Sequence, residues 1–379
     1  MQLQEGTNHL ENYLDSVFVL SHSKSTVKTY HSSIRLFTEF LGTKYGLDEV
    51  IILQKLNLQE FNVYFLLRDF VIYLDKIGYK GSSVRVLLAA VKGYLRYYGI
   101  KIYAEDCKHT VKIPKSVVSR EEPLTKELLV RLLRNINPKL QTAVLVAVAS
   151  GMRIGEIVQL KIDDIDFGCR PVKIRIRAET TKTRESRETF LTEEAASSLK
   201  DYLKRFYSWK ESGNNEHLKD QIIFGRTSFS ICKRKTELKN ETHSTVNLLQ
   251  KMLFNQISKI PDLSKNNENG RKMIHFHAFR KFFRTTVGNV CGRDFAESLI
   301  GHHFYMDTYY NLSSEKQREM YLKAEPYLTL SDSTKIERSL KEISEKHQEL
   351  EAKFNGLLQY FKKNSIPVPD SFSGILSTS

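Results

Sequence analysis

The chain has 379 residues, more than one typical domain needs, and its 41% hydrophobic and 27% charged side chains are ordinary for a globular protein. No apolar run approaches the ~20 residues of a membrane span, and the polar start lacks a secretory signal, so we expect a cytoplasmic protein without membrane contact. The four cysteines contain no CxxC pair, so we expect neither a disulfide framework nor a structural zinc site. The net charge of +14 lies before residue 331, because residues 331–379 hold seven basic and seven acidic side chains, and it favours a polyanionic partner.

Residues 1–110 are predicted to form a helical bundle, followed by an extended linker at 111–122 that has several charges and no helical period. In residues 23–42, apolar side chains recur at steps of three and four, which predicts an amphipathic helix. Serines at its start can serve as N-caps, and Gly42 is expected to end it.

A second amphipathic helix is predicted in residues 81–99. Ser82 or Ser83 would cap its start, and Gly99 would close it. Between the two helices, residues 61–74 are rich enough in apolar and aromatic side chains to predict a buried helix.

Seven basic side chains fall largely outside the apolar faces of these helices. Such a surface suits contact with phosphate groups, although a solvated charged face is the simpler alternative. The seven are Lys24, Lys28, Arg35, Lys80, Arg85, Lys92 and Arg96.

Residues 123–330 are predicted to form a second domain. Thr125 can cap its first helix, and residues 139–150 predict a buried apolar helix that Gly151 breaks. Arg153 follows the break at the start of a new helix, where its side chain can project into a cleft.

The helical period is interrupted at residues 172–177, where apolar and basic side chains alternate. This alternation predicts a strand with one apolar and one basic face, and residues 187–192 can return as its partner. Lys182 lies at or beside the turn between them. Three further basic side chains here are predicted to contact phosphates: Lys173, Arg175 and Arg184. Residues 209–272 are hydrophilic and predict only short helices.

The last candidate residues lie on or after a helix predicted near residue 276. His277 and Arg280 are three residues apart, so both can face one pocket. His302 comes at a helix end, and Tyr309 and Tyr310 follow soon after. Two arginines, a lysine and two histidines can surround a phosphodiester with positive charge while a phenol attacks it.

Six residues therefore occur in one order along the chain: Arg153, Lys182, His277, Arg280, His302 and Tyr310. Each local motif is short, but the ordered set is highly specific and resembles the tyrosine recombinases, or phage integrases. The phrases RIRAETTKTRE and GHHFYMDTYYN are similar to those of archaeal members. The resemblance implies a mostly α fold with a small β-sheet (α+β), with a helical core-binding domain at 1–110 and a catalytic domain at 123–330.

The resemblance also implies a function, a site-specific recombinase most like the integrase of a virus, plasmid or other mobile element. Such an enzyme acts as a tetramer on two DNA duplexes, without metal, cofactor or ATP, and associates with the nucleoid when bound to DNA. Arg153 and Arg280 would bind the phosphate oxygens, and His302 would steady the phosphate.

By the same resemblance, Tyr310 attacks phosphorus and forms a 3′-phosphotyrosyl bond. Lys182 would protonate the departing 5′-oxygen, and His277 would help the phenol to ionise. Tyr309 is the alternative nucleophile, because only eight residues separate His302 from Tyr310, one fewer than is usual in bacterial relatives.

Four other functions stay open. A resolvase has the same chemistry, a type IB topoisomerase would use similar residues as a monomer, and a non-catalytic protein could bind DNA on this fold. A metal-dependent nuclease would need histidine and carboxylate ligands. Its candidate ligands are His275, His277, His302 and His303, with Asp294 or Asp307.

The segment 331–364 predicts a coiled-coil helix that self-associates, with a packed amphipathic helix as the alternative. Its apolar seam alternates steps of four and three through Ile336, Leu340, Ile343, His347, Leu350, Phe354, Leu357 and Phe361. The closing residues 365–379 are expected to be disordered. Just before the seam, 313–328 predicts a helix that, by resemblance, docks on a neighbouring protomer.

Overall fold

The structure is a computed structural model. It describes residues 9–115, 121–211, 213, 215–225, 235–268, 270–301, 312–331, 344–357 and 361. The chain divides into two compact units, Met1–Ser119 and Arg120–Ser379. Within the described residues, no helix has both the length and the apolar character that a bilayer crossing requires.

The described part of the first unit is helical. Its helices are α1 (His9–Ser21), α2 (Lys24–Tyr45), α3 (Glu49–Asn57), α4 (Val63–Lys76), α5 (Gly81–Tyr97) and α6 (Ala104–Thr110). Phe37, Phe40, Phe70 and Tyr94 are fully buried where α2, α4 and α5 meet. The hydroxyl of Tyr13 on α1 donates a hydrogen bond to the Ala90 carbonyl on α5. The three helices predicted in this unit are confirmed.

Two details of their ends were wrong. Helix α2 continues through Gly42 and ends at Gly46, whose φ of 63° is the left-handed conformation that closes a helix. At the start of α5 the N-cap is Lys80, with no side-chain hydrogen bond, so neither Ser82 nor Ser83 caps it. Past Gly42 the helix places Tyr45 against the rings of Phe40 and Phe61, a contact that favours its continuation.

The second unit combines helices with a three-stranded sheet, which confirms the predicted α+β class. Its helices are α7 (Lys126–Leu133), α8 (Pro138–Ser150), α9 (Ile154–Ile157), α10 (Glu193–Tyr207), α11 (Lys235–Ile257), α12 (Phe276–Cys291), α13 (Arg293–Ile300) and α14 (Ser314–Leu328). Thr125 caps α7 as predicted, by accepting a hydrogen bond from the Leu128 amide.

The sheet is antiparallel in the order β1 (Ile165–Asp166), β2 (Val172–Ile176), β3 (Arg187–Leu191). Strands β2 and β3 were predicted, and β1 was not, because two residues are too few for an alternating pattern to show. Arg177 lies beyond β2 and pairs with Asp164 at 3.0 Å, so it does not extend the basic face of the strand.

Helix α11 spans 23 residues in a region where only short helices were expected. Its buried side chains, Thr245, Leu249, Leu253 and Ile257, follow one row at steps of four. A single row is a narrow apolar stripe, so the surrounding polar residues conceal the helical period in the sequence.

Helix α8 is the centre of the second unit, with every residue from Thr142 to Ser150 buried. Helices α10 and α12 pack on it, and α14 joins it through Tyr321, whose ring contacts Phe190 at 5.3 Å and whose hydroxyl donates to the Ala149 carbonyl. Tyr321, Ala324 and Leu328 of this helix are buried in the chain's own core. The expectation that the helix docks on a neighbouring protomer stays a prediction.

Candidate functional site

Arg153 stands where two helices meet. The backbone of α8 ends at Gly151, whose φ of 64° turns the chain, and Arg153 is the N-cap of α9. A Cβ at Gly151 would lie 2.3 Å from Cδ1 of Phe283, so only glycine fits there for two independent reasons. The predicted break before Arg153 is therefore confirmed.

The Arg153 side chain is held by a buried carboxylate. One oxygen of Glu156 accepts from the Arg153 backbone amide at 2.8 Å, and the other accepts from its Nη1 at 3.0 Å. Arg187 on β3 binds the same carboxylate at 2.6 and 3.1 Å and donates from Nε to the Leu299 carbonyl. Burial would raise the pKa of Glu156, but hydrogen bonding and charge from Arg187, aided by Arg153, hold it below its usual range.

Arg280 is buried beside this group. From α12 its Nη1 donates to the Gly151 carbonyl at 2.7 Å, and its Nη2 donates to the Ile300 carbonyl at 2.5 Å. Burial and the nearby charge of Arg153 lower the pKa of Arg280 to about 9, so the guanidinium remains charged at neutral pH. These two bonds tie the α8–α9 junction to the end of α13.

Gly301 completes this junction on the other side. It has a φ of 67° at the end of α13, and a Cβ there would lie 2.9 Å from Cδ of Arg187. Arg153, Glu156, Arg187 and Arg280 therefore form one group, which we call the arginine cluster. Its members come from α9, β3 and α12, and it brings together two of the six predicted catalytic residues.

His277 lies one turn before Arg280 on α12 but is exposed, so the two side chains differ in burial. Partial burial, then the charges of Lys281, His275 and Arg280, lower the pKa of His277. The ammonium of Lys281 pairs with Glu121. The neutral imidazole, which can accept a proton, is therefore favoured at neutral pH.

Lys182 is exposed in the connection between β2 and β3, as predicted. The neighbouring Thr181 is buried, and its hydroxyl bonds to the Ala178 and Glu185 carbonyls and to the Glu185 amide. This anchor places Lys182 at the tip of the turn, while its own side chain extends into solvent.

The remaining predicted residues lie outside the described part of the chain: His302, Tyr309 and Tyr310, together with His303 and Asp307. They belong to residues 302–311, between Gly301 and Leu312 in the chain. Gly301 itself lies beside Arg187. Its assignment as the source of the nucleophile therefore stays a prediction.

The candidate metal ligands are only partly described. Within residues 9–115, 121–211 and the other described ranges, no group of three or more His, Cys, Asp or Glu side chains is placed to hold a metal ion. His275 and His277 have ring centroids 6.4 Å apart, and Nδ1 of His275 is 2.9 Å from the Lys272 carbonyl. Asp294 lies in the first turn of α13.

Most of the predicted phosphate-binding residues of the first unit are exposed on α2 and α5 or just before α5, and Lys92 is half-buried. Arg96 also donates to the Ile102 carbonyl at 3.2 Å. In the second unit Lys173 pairs with Glu188 across β2 and β3 at 3.1 Å, while Arg175 and Arg184 are exposed. The ion pair with Glu188 makes Lys173 less available for an external anion.

Two residues of the arginine cluster were missed by the sequence reasoning. Glu156 follows Arg153 by three residues, the spacing of a capping box, and this signal could have found it. Arg187 has no comparable local signal. Its role depends on contacts with Glu156 and Leu299, 31 and 112 residues away in the chain.

Chemically, the cluster can bind a dianionic or monoanionic oxygen ligand. Among the described residues Arg280 forms no ion pair, and its two hydrogen bonds go to neutral carbonyls. The carboxylates of Glu156 and Glu297 stabilise this buried charge, and an external anion would stabilise it further.

Comparisons with known proteins identify the family of the second unit. Residues 122–315 match the model of the phage integrase family. Tyrosine recombinase XerA of Thermococcus kodakarensis is 29% identical over 166 residues, which cover 43% of this chain and 50% of that protein. XerA of Pyrococcus horikoshii is 32% identical over 98 residues, or 26% of this chain and 33% of that protein. The chain therefore spans half or less of the length of these curated relatives.

Solved structures share the fold. A lambda integrase dimer bound to a COC′ core site aligns with a TM-score of 0.53 at 16% identity, over 80% of this chain and 75% of that one. A lambda integrase tetramer bound to a Holliday junction aligns with a TM-score of 0.50 at 16% identity, over 81% and 79% of the two chains. At this identity the likeness is one of fold.

Proposed function

Because this chain belongs to the phage integrase family, we propose that it is a site-specific DNA recombinase, an integrase or resolvase that breaks and rejoins double-stranded DNA at specific sites. The proposed active form is a tetramer on two duplexes. The tetramer of lambda integrase on a Holliday junction, which has the same fold, supports this assembly.

The observation that carries the proposal is the buried charge of Arg280. The residue is 3% exposed, forms no ion pair among the described residues and donates there only to main-chain carbonyls. Burial and the charges of Arg153 and Arg187 lower its pKa, while the charges of Glu156 and Glu297 raise it. A scissile phosphate would add an anion beside these arginines. Its charge increases in the pentacoordinate transition state, so two guanidinium groups fixed in advance lower the barrier.

In the proposed reaction the phenolate of Tyr310 forms a bond to phosphorus as the bond between phosphorus and the 5′-oxygen breaks. Neutral His277 accepts the phenol proton, and Lys182 gives a proton to the departing 5′-oxygen. His302 steadies the phosphate. The 3′-phosphotyrosyl bond conserves the energy of the phosphodiester, so the 5′-hydroxyl of another strand can reverse the step without ATP.

The first unit is proposed to hold the DNA backbone. The exposed basic side chains of α2 and α5 lie off the buried faces of those helices, where they can approach phosphates without disturbing the core. Binding that depends on several such contacts should weaken steeply as salt is raised.

A suicide substrate tests the chemistry. Preferred duplexes are first selected from a randomised pool by the Tyr310→Phe variant, and then nicked so that cleavage releases a short strand and traps the covalent adduct. We expect wild type to form the adduct in EDTA, and Tyr310→Phe to form none. Tyr327→Phe is the matched control, because Tyr327 is exposed on α14 away from the arginine cluster.

The other outcomes separate the alternatives. Loss of the adduct only in Tyr309→Phe would move the nucleophile by one residue. An adduct without strand exchange between two duplexes would indicate a topoisomerase, and cleavage that requires added metal would indicate a nuclease. Specific binding without an adduct would overturn the proposed catalysis in favour of a DNA-binding protein.

A further inference from the structure

The tail of the chain carries a helix, residues 344–357, with two exposed leucines on its apolar row. Leu350 is 70% exposed and Leu357 is 54% exposed, although both lie on the same face as His347 and Phe354. The other side chains of this helix are mostly charged or polar. An exposed row of large apolar side chains on a charged helix is typical of a surface that another helix covers.

The spacing of this row assigns heptad positions. His347 and Phe354 occupy a positions, and Leu350 and Leu357 occupy d positions. The flanking g positions are then Lys346 and Lys353, and the flanking e position between them is Glu351.

These charges distinguish the two possible helix directions. In a parallel pair each g residue faces the following e residue of the partner, so Lys346 faces Glu351 of the second copy in two symmetric attractive pairs. In an antiparallel pair g residues face g residues, and Lys346 would face Lys353 with like charge. Lys346 is exposed on this helix, so its ammonium group can reach a partner helix.

We propose that residues 344–357 form a parallel, in-register coiled coil with the same helix of a second copy of this chain, in the absence of DNA. The same heptad spacing runs in the sequence from Ile336 to Phe361, eight positions in all. The polar His347 at an a position sets the register. This association does not depend on recombinase chemistry.

A charge exchange in the full-length protein tests the direction. By sedimentation velocity without DNA, Lys346→Glu should raise the Kd for self-association about tenfold, because two attractive pairs become repulsive. The double variant Lys346→Glu/Glu351→Lys should restore the wild-type Kd to within about threefold. Tighter association of Lys346→Glu than of wild type would contradict the parallel pairing.

A second pair of variants tests the seam itself. Leu350→Lys should make the protein monomeric, whereas Ala352→Lys, at an f position away from the seam, should leave association unchanged. Both sites are exposed, so thermal unfolding of the two compact units should be the same in both variants. A monomeric wild type, or equal effects of the two substitutions, would overturn the proposal.

Discussion

The arginine cluster and the turn that carries Lys182 hold cations for the same proposed reaction, but they are built in opposite ways. Arg280 is fixed by two main-chain carbonyls, and Arg153 by the Glu156 carboxylate that it shares with Arg187. Lys182 is exposed, and the hydroxyl of its neighbour Thr181 anchors the turn. A group that stabilises charge gains from being fixed before the substrate arrives, because no reorganisation is then needed. A proton donor must instead reach an oxygen that moves as the bond breaks.

The largest effect should come from breaking the buried support of the cluster. Arg187→Met leaves Glu156 with Arg153 as its remaining cation among the described ion pairs, and we expect a loss of about 3–5 kcal/mol in the free energy of unfolding. Denaturant titration measures it. The double variant Arg187→Met/Glu156→Gln should recover part of the loss. If its loss in the free energy of unfolding instead equals the sum of the two single losses, the two side chains are not coupled.

Arg280→Ala should lower the rate of covalent adduct formation by about 10²–10³-fold, because one preorganised donor to the phosphate is lost. Arg284→Lys, one turn later on α12 and on the side of Glu297, is the control. Adduct formation would be timed on the suicide substrate. Equal rates in Arg280→Ala and wild type would remove Arg280 from the catalytic group.

Gly151→Ala should destabilise the second unit by about 2–4 kcal/mol, from the left-handed φ together with the contact of a Cβ with Phe283. Gly155→Ala, four residues later in α9, meets nothing within 4 Å and should be neutral or slightly stabilising. Thermal unfolding of the two variants compares them directly. Similar midpoints would mean that the α8–α9 junction is not rigid.

The pH dependence of stability should report the same network. The folded pKa of Glu156 lies below its unfolded value, so its contribution is complete above the unfolded pKa of about 4.3 and is lost as pH falls through the folded pKa. Between pH 6 and pH 3 wild type should therefore lose more stability than Glu156→Gln. Parallel curves for the two proteins would contradict this assignment.

The smallest effect on stability should come from the turn. Lys182→Ala should change the free energy of unfolding by less than about 0.5 kcal/mol, since the side chain is exposed, yet it should slow adduct formation. Replacing the bridging oxygen at the 5′ side with sulfur, a better leaving group, should restore the rate if Lys182 is the proton donor. A variant that stays slow on this substrate would assign Lys182 another role.

Local signals in the sequence were sufficient for much of the fold. The apolar faces of α2 and α5, the apolar and aromatic content of α4, the cap at Thr125 and the alternation in β2 were all visible, because each depends on residues close in the chain. The end of α2 and the length of α11 were not visible. Gly42 lies inside α2, which closes at Gly46, and α11 buries only one row of side chains.

For the proposed site, the sequence by itself determined the family and the order of the candidate residues, since both can be read from short motifs. Only the tertiary structure decided that Arg280 is buried without an ion pair among the described residues, and that Arg187 supports Glu156. The same is true of α14, which packs on its own chain. Burial and charge pairing depend on segments that are distant in the chain and adjacent in space, so no local pattern encodes them.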